Sequence, residues 1–355
     1  MIRRLLPLTA ALLISTAFLS ACQDNGDTAG TAAQTTAALT TAVGTAEEAT
    51  EDAATDTGNS DETQEVPDSV TITSLNASNE THELEVPYNP QRIAVLDMAV
   101  LDILDNLGVG AKVVGIADTS LSYLSEYSEN ENLVALGTIK EPHLENVMRS
   151  EPDVIFIGQR LAAFYDALSE IAPVVYLQID HQQGILSSMS ENSRAIASIF
   201  GLEDQVDETL TGYQARVDAL SKFAENRDAA VVLVTSGGLN ILTDDGRLSL
   251  IGNEIGFNNL GNTDAASTHG NEASFETIVN MDPEFMFVLD RDAAIGTEGA
   301  QYAKDVMENE LIQQTRAFQE NKIVYLEHPA VWYTAEGGLT AMDIMLKDLE
   351  GSLLD

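Results

Sequence analysis

Five side chains carry most of the chemistry open to this 355-residue sequence: Arg160, Arg247, Arg291, His269 and Tyr333. The arginines stand out because the chain is so acidic. It has 17 Lys+Arg against 57 Asp+Glu, a formal net charge of −40. A guanidinium keeps its charge, is weakly hydrated, and forks onto planar oxygen pairs or stacks on aromatic rings. Arginines gathered at one place in such a chain therefore point to a negatively charged ligand. Two of the three are tied by an internal repeat. Glu145, Pro152 and Arg160 recur as Glu276, Pro283 and Arg291, with the same spacings and an apolar run between proline and arginine. The proline ends a short helix and starts the turn into a strand, so both arginines end equivalent strands. In open α/β sheets, ligands bind beyond the carboxyl ends of strands, and two facing sheets would turn both arginines into one cleft.

Arg247 follows a strand and the Ser236-Gly237-Gly238 turn and would add a third cation; alone it reads equally as a turn residue paired with Asp244 or Asp245. His269 lies among Gly and Asn neighbours, and Tyr333 follows Trp332 after His328-Pro329. Singly they read as an exposed histidine and a packing aromatic. Together, an imidazole and a phenolate could fill two positions on an iron(III) ion, which is hard and favours anionic oxygen. Two residues do not close a metal site, so the other donors would come from a bound molecule.

The elements that must position these groups are legible as alternating strands and helices over 85–355. Apolar strands are predicted at Ile93–Leu96, Val113–Ile116, Val154–Ile157, Val174–Leu177, Ala230–Thr235, Phe285–Leu289 and Ile323–Leu326. Helices are predicted at Val100–Leu107, Leu144–Arg149 and Ala162–Ile171. This alternation implies α/β layers with largely parallel strands. The stretch from Ile185 to Ala224 has no strand-like run and reads as one or two long helices, broken near Gly201-Leu202. The expected fold is therefore α/β, with two Rossmann-like lobes around central, mostly parallel sheets, joined by a long helical backbone. The lobes are placed at 69–185 and 227–355, with the helical linker at 186–226.

Residues 1–22 form a secretory signal: Arg3 and Arg4, an apolar run from Leu5 to Leu19, then Leu19-Ser20-Ala21-Cys22. That ending resembles the bacterial lipobox, in which the lone cysteine of the chain is lipidated after cleavage and holds the protein at a membrane without spanning it. Residues 23–68 hold eleven acidic residues with no Lys, Arg or aromatic. Such a segment reads as a disordered acidic Ala/Thr-rich tether. The remaining 69–355 carries 15 basic and 46 acidic residues, a net of −31, so a basic residue in a pocket there is conspicuous.

At this point the sequence resembles the class III periplasmic binding proteins that serve ABC importers of iron–siderophore complexes. It is most like the lipoproteins that bind ferric catecholates and petrobactin-type ligands. The resemblance spans about 70–355 and rests on Tyr88-Asn89-Pro90-Gln91-Arg92-Ile93-Ala94-Val95, Glu151-Pro152-Asp153-Val154-Ile155, His269-Gly270, Val288-Leu289-Asp290-Arg291 and Trp332-Tyr333. It implies that Arg160, Arg247 and Arg291 contact the anionic catecholates. His269 and Tyr333 would complete the iron shell where a tetradentate siderophore leaves two positions open. It also implies that Glu145 and Glu276, one in each lobe, dock onto arginines of the membrane permease; as plain residues they read equally as first-turn acids favoured by the helix dipole. Gly158-Gln159-Arg160 and Asp245-Gly246-Arg247 depart from the commonest local forms of the family.

The expected protein is thus a monomeric, lipid-anchored receptor at the outer face of the cytoplasmic membrane, or periplasmic. It has no intrinsic cofactor; iron(III) enters only as a siderophore complex. The acidic excess excludes nucleic acid as a partner, and one cysteine excludes an internal disulfide or a multi-cysteine metal site. A haem or corrinoid receptor of the same fold stays open. Five scattered histidines suit a bare-metal receptor poorly. A surface-anchored enzyme is disfavoured by the lack of a Gly-x-Ser-x-Gly elbow, a His-Glu-x-x-His pair and a Gly-x-x-x-x-Gly-Lys loop.

Overall fold

The computed structural model describes residues 67–262, 271–297, 299 and 302–354; Cys22, the tether up to residue 66 and His269 lie outside them. The described residues form one compact unit. It opens with an antiparallel hairpin, β1 (Ser69–Leu75) and β2 (Thr81–Pro87). A parallel sheet follows, built from β3 (Ile93–Val95), β4 (Val113–Ile116), β5 (Val134–Ala135), β6 (Val154–Ile157) and β7 (Val174–Tyr176). Its order is β5-β4-β3-β6-β7. The chain leaves β3 toward one side and later returns to the other, so the topological switch falls between β3 and β6. Strands β3, β6 and β7 are buried along their whole length, which is why each reads as an uninterrupted apolar run rather than an alternating one.

The second sheet contains β8 (Asp228–Thr235), β9 (Gly238–Leu242), β10 (Asn258–Asn259), β11 (Asn271–Ala273), β12 (Phe285–Asp290) and β13 (Ile323–Tyr325). Its order is β11-β9-β8-β12-β13, with β10 beside β8. Strands β8, β12, β13 and β10 are parallel, while β9 runs antiparallel to both its neighbours, β8 and β11. Here the switch lies between β8 and β12. Alternation along β8 serves two cores: Ala229, Val231 and Leu233 join the large core that also contains the first sheet, whereas Ala230, Val232 and Val234 join a smaller one on the other face.

Two helices, Ile185–Ser198 and Glu203–Ala224, link the sheets, broken at 199–202 as predicted. The C-terminal helix Leu339–Leu353 packs on the second of these and on helix Met98–Asn106 of the first lobe. Its first turn is capped across the lobes. Asp102 accepts from the N–H groups of Thr340 and Ala341, both at 2.8 Å, and from the Tyr123 hydroxyl at 2.9 Å. Arg216 adds bonds to Asp343 and Glu350, each at 2.7 Å. The expected helix Ala162–Ile171 instead begins as a 3-10 turn, Gln159–Phe164, before an α-helical Tyr165–Ser169.

Candidate functional site

The repeat folds as its spacing requires. Helix Leu144–Arg149 leads through Pro152 into β6, and helix Phe275–Met281 leads through Pro283 into β12. Arg160 lies in the helical turn directly after β6, and Arg291 opens the short helix Arg291–Ala294 directly after β12. Each stands beyond the strand carboxyl end at the switch of its own sheet. Glu145 and Glu276 are both exposed in the first turns of the repeat helices.

Tyr333, on helix Pro329–Thr334, gathers all three arginines. The Arg247 guanidinium lies over its ring at 4.3 Å from the centroid, Arg291 at 5.8 Å and Arg160 at 5.9 Å. Arg291 donates from Nε to the Tyr333 hydroxyl at 3.1 Å, and Arg247 from Nη1 to the Tyr333 carbonyl at 3.3 Å. Burial alone would push the Tyr333 phenol up. The hydrogen bond from Arg291 and the charges of Arg247, Arg291 and Arg160 outweigh that and hold it below the ordinary tyrosine value.

The turn-pairing alternative for Arg247 does not occur. Asp244 is occupied by Asn259 at 2.8 Å and Asn262 at 2.7 Å. Arg247 instead turns inward and is only 7% exposed, with Nε buried and unpartnered among the described residues. Burial lowers its affinity for its proton, an effect opposed by the charge of Glu336. A buried donor left unpaired costs about 1–3 kcal/mol, so this group is held ready for an acceptor at a price in stability.

Beside these residues is a cavity of about 350 Å³, walled on one side by Asp97, Val100 and Arg160 and on the other by Arg247, Tyr333 and Glu336. That volume is in the range of small-molecule sites. Arg160, Arg247 and Tyr333 are among its lining residues. Arg291 is not; it stands behind the Tyr333 hydroxyl and reaches the cavity through it. His269 lies outside the described residues, so its place relative to Tyr333 is left to sequence.

Three lining residues escaped the sequence reading. Asp97 follows β3 at the first switch and caps helix Met98–Asn106 through the N–H groups of Ala99 and Val100. Its position just past a predicted strand was a usable signal. Burial pushes its carboxyl up, against those backbone bonds and the charge of Arg160. Glu336 accepts from the Leu248 N–H at 3.2 Å and sits 3.7 Å from His181, whose other ring nitrogen is 3.2 Å from the Ser249 hydroxyl. Neither His181 nor Glu336 has a motif to betray it. The site therefore balances three cations against nearby carboxylates, and its distinguishing feature is not raw charge. It is the exposed Arg160 guanidinium and the buried Arg247 Nε at the cavity, for which no acceptor is present among the described residues.

Two Rossmann-like lobes with site residues at both switch points, spanned by long helices, define a class III periplasmic binding protein. The chain belongs to the periplasmic binding protein family, whose model matches residues 93–330. It is a substrate-binding protein of the ABC-importer type and not an enzyme. It is 32% identical over 272 residues to the petrobactin-binding protein YclQ of Bacillus subtilis, covering 76% of this chain and 84% of that one. The crystal structure of YclQ superposes with a TM-score of 0.74 at 31% identity, over 81% of this chain and 99% of YclQ. The periplasmic catecholate-siderophore binding protein VctP of Vibrio cholerae gives a TM-score of 0.73 at 28% identity, over 80% and 100% of the two chains. The ferric-anguibactin-binding protein FatB of Vibrio anguillarum is 26% identical over 270 residues, 74% of this chain and 83% of FatB.

Proposed function

We propose that this protein captures an anionic ferric siderophore of catecholate type in the cavity between its lobes, 69–185 and 227–355, and delivers it to an ABC permease. The observation that carries the reading is the gathering of Arg160, Arg247 and Arg291 around Tyr333 at a cavity edge, with Arg247 buried and its Nε unpartnered among the described residues. Guanidinium groups suit the oxygen-rich, negatively charged face of a ferric catecholate. Relatives named for petrobactin, anguibactin and catecholate siderophores support the same cargo.

In this reading Arg160 and Arg247 meet the catecholate oxygens, and Arg291 acts beside the Tyr333 hydroxyl. Tyr333, with its phenol held below its usual value, and His269 take the two positions that a tetradentate siderophore leaves open on iron. The large core shared by both sheets, and the helices that cross between them, support a largely pre-formed cleft rather than a wide hinge. Glu145 and Glu276 are the permease contacts, and lipid on Cys22 holds the protein at the outer face of the cytoplasmic membrane.

Trp332, the only tryptophan, is fully buried next to Tyr333 and serves as the reporter. Titration with ferric catecholate, ferric hydroxamate and haem is expected to quench its emission at low concentration for the catecholate alone. Equal or stronger binding of haem or of the neutral hydroxamate complex would overturn the assignment.

A further inference from the structure

The repeat sets Arg160 and Arg291 at matching strand ends, yet their guanidinium groups are held in different ways. Arg160 is exposed and, among the described residues, forms no hydrogen bond or ion pair; its nearest aromatic approach is the Tyr333 ring. Arg291 is pinned at three places. Its Nε donates to Tyr333, its Nη1 donates to the Thr235 hydroxyl at 3.1 Å, and the same Nη1 lies 3.5 Å from Asp292 Oδ1. Asp292 is itself only 3% exposed, and its other oxygen accepts from the Ser236 N–H at 2.5 Å.

Ser236 and Gly237 form the β8–β9 hairpin turn, with φ of 52° and 75°. Both values are positive, as tight turns matched to strand twist require. Asp292 therefore ties the hairpin turn to Arg291, which opens the helix after β12, and Arg291 in turn bonds Thr235 at the end of β8. The difference between the lobes is written in the repeat itself, since Arg160 is followed by Leu161 and Arg291 by Asp292.

We infer that Asp292 and Thr235 are positioning residues for Arg291. They make it a fixed anchor that holds the Tyr333 hydroxyl at the cavity edge, while Arg160 is the adjustable arm that settles onto the bound complex. This rests on reading the cavity as an anion site. A free arginine carries about 2 kcal/mol of rotamer entropy, so fixing one in advance removes part of that cost from binding. The inference also has a sign that simple electrostatics does not share. Neutralising a carboxylate near an anion site should tighten anion binding, whereas losing a positioning group should weaken it.

The test uses Asp292→Asn and, in case that variant folds poorly, the near-isosteric Thr235→Val, each with Arg291 present and in an Arg291→Ala background. The probe is the ferric complex of a tetradentate bis-catecholate. With Arg291 present each variant is expected to bind about tenfold more weakly, the low end of what outer supporting partners contribute. With Arg291→Ala the same changes are expected to alter affinity less than about twofold, because the coupling partner is gone. Unchanged or tighter binding with Arg291 present, or equal losses in both backgrounds, would overturn the inference.

A ligand-free arm separates this from failure of the siderophore reading. In the unliganded protein the Arg291 Nε–H should give a distinct, slowly exchanging NMR signal that Asp292→Asn collapses. If that holds while no ferric complex binds, the cargo assignment falls and the positioning role stands. A signal unmoved by Asp292→Asn overturns the positioning role.

Discussion

Replacing Arg247 by methionine separates a binding role from a structural one, because the two predict opposite balances of stability and affinity. Arg247→Met keeps the volume of the buried stem and removes the charge. The unliganded protein loses the stack over Tyr333, worth about 0.5–2 kcal/mol, and one neutral-acceptor hydrogen bond, worth about 0.5–1.5 kcal/mol. It gains relief of the unpartnered Nε, about 1–3 kcal/mol, together with the cost of burying a charge that Glu336 only partly offsets. These terms nearly cancel. The melting temperature of the unliganded variant is therefore expected within about 2–4 °C of the parent, the shift that about 1 kcal/mol gives in a domain of this size.

Binding has no such cancellation. A charge-assisted bond to an anionic ligand contributes about 1.5–3 kcal/mol, so affinity for a ferric catecholate should fall roughly 10- to 100-fold. The assay pairs thermal unfolding of the unliganded protein with titration followed by Trp332 emission. A large drop in melting temperature with affinity intact would refute the reasoning and make Arg247 a structural residue.

Three further outcomes follow from the same geometry. Tyr333→Phe removes the acceptor of Arg291 and the phenolate; it should abolish the shift in the charge-transfer band that a tetradentate ferric complex shows on binding, and an unchanged shift would mean that Tyr333 does not reach iron. Asp102, pushed up to about 6 by burial despite its three hydrogen bonds, favours folding most when protonated. Its contribution is complete below its unfolded value near 4, fades as pH rises through about 6, and amounts to about 3 kcal/mol. Denaturant unfolding should therefore show wild type losing stability relative to Asp102→Asn between pH 4 and pH 7, and parallel curves would contradict it. Glu145→Ala with Glu276→Ala should leave ligand affinity unchanged, since both residues are exposed on helices away from the cavity lining, while lowering uptake by whole cells; unchanged uptake would remove them from the docking surface.

How much of this was readable in advance depended on burial. Val113–Ile116 and Val154–Ile157 are bounded to the residue because parallel strands covered on both faces leave a short apolar run, here opened by the charged Lys112 and Asp153. The hairpin β1–β2 was passed over, since Thr81–Pro87 places Glu83 and Glu85 on an exposed face and interrupts any such run. Strands β10 and β11, of two and three residues, carry too few side chains to show a period. The matched arginines were legible because a duplicated unit records the same geometry twice. Arg247 and Tyr333 are 86 residues apart, and only the folded second lobe shows that they stack. The same distance problem hid Glu336 and His181, which meet across the lobes without any local motif. Arg291 stands one side chain back from the cavity, behind Tyr333, because sequence fixes a strand end but not which neighbour steps in front of it.

The central claim is tested most directly by locating iron in the protein. Crystals grown with a ferric catecholate and measured on both sides of the iron absorption edge should show one anomalous peak inside the cavity bounded by Arg160, Arg247 and Tyr333. A peak on the outer surface, or an iron-bearing ligand seated away from those arginines, would contradict the account.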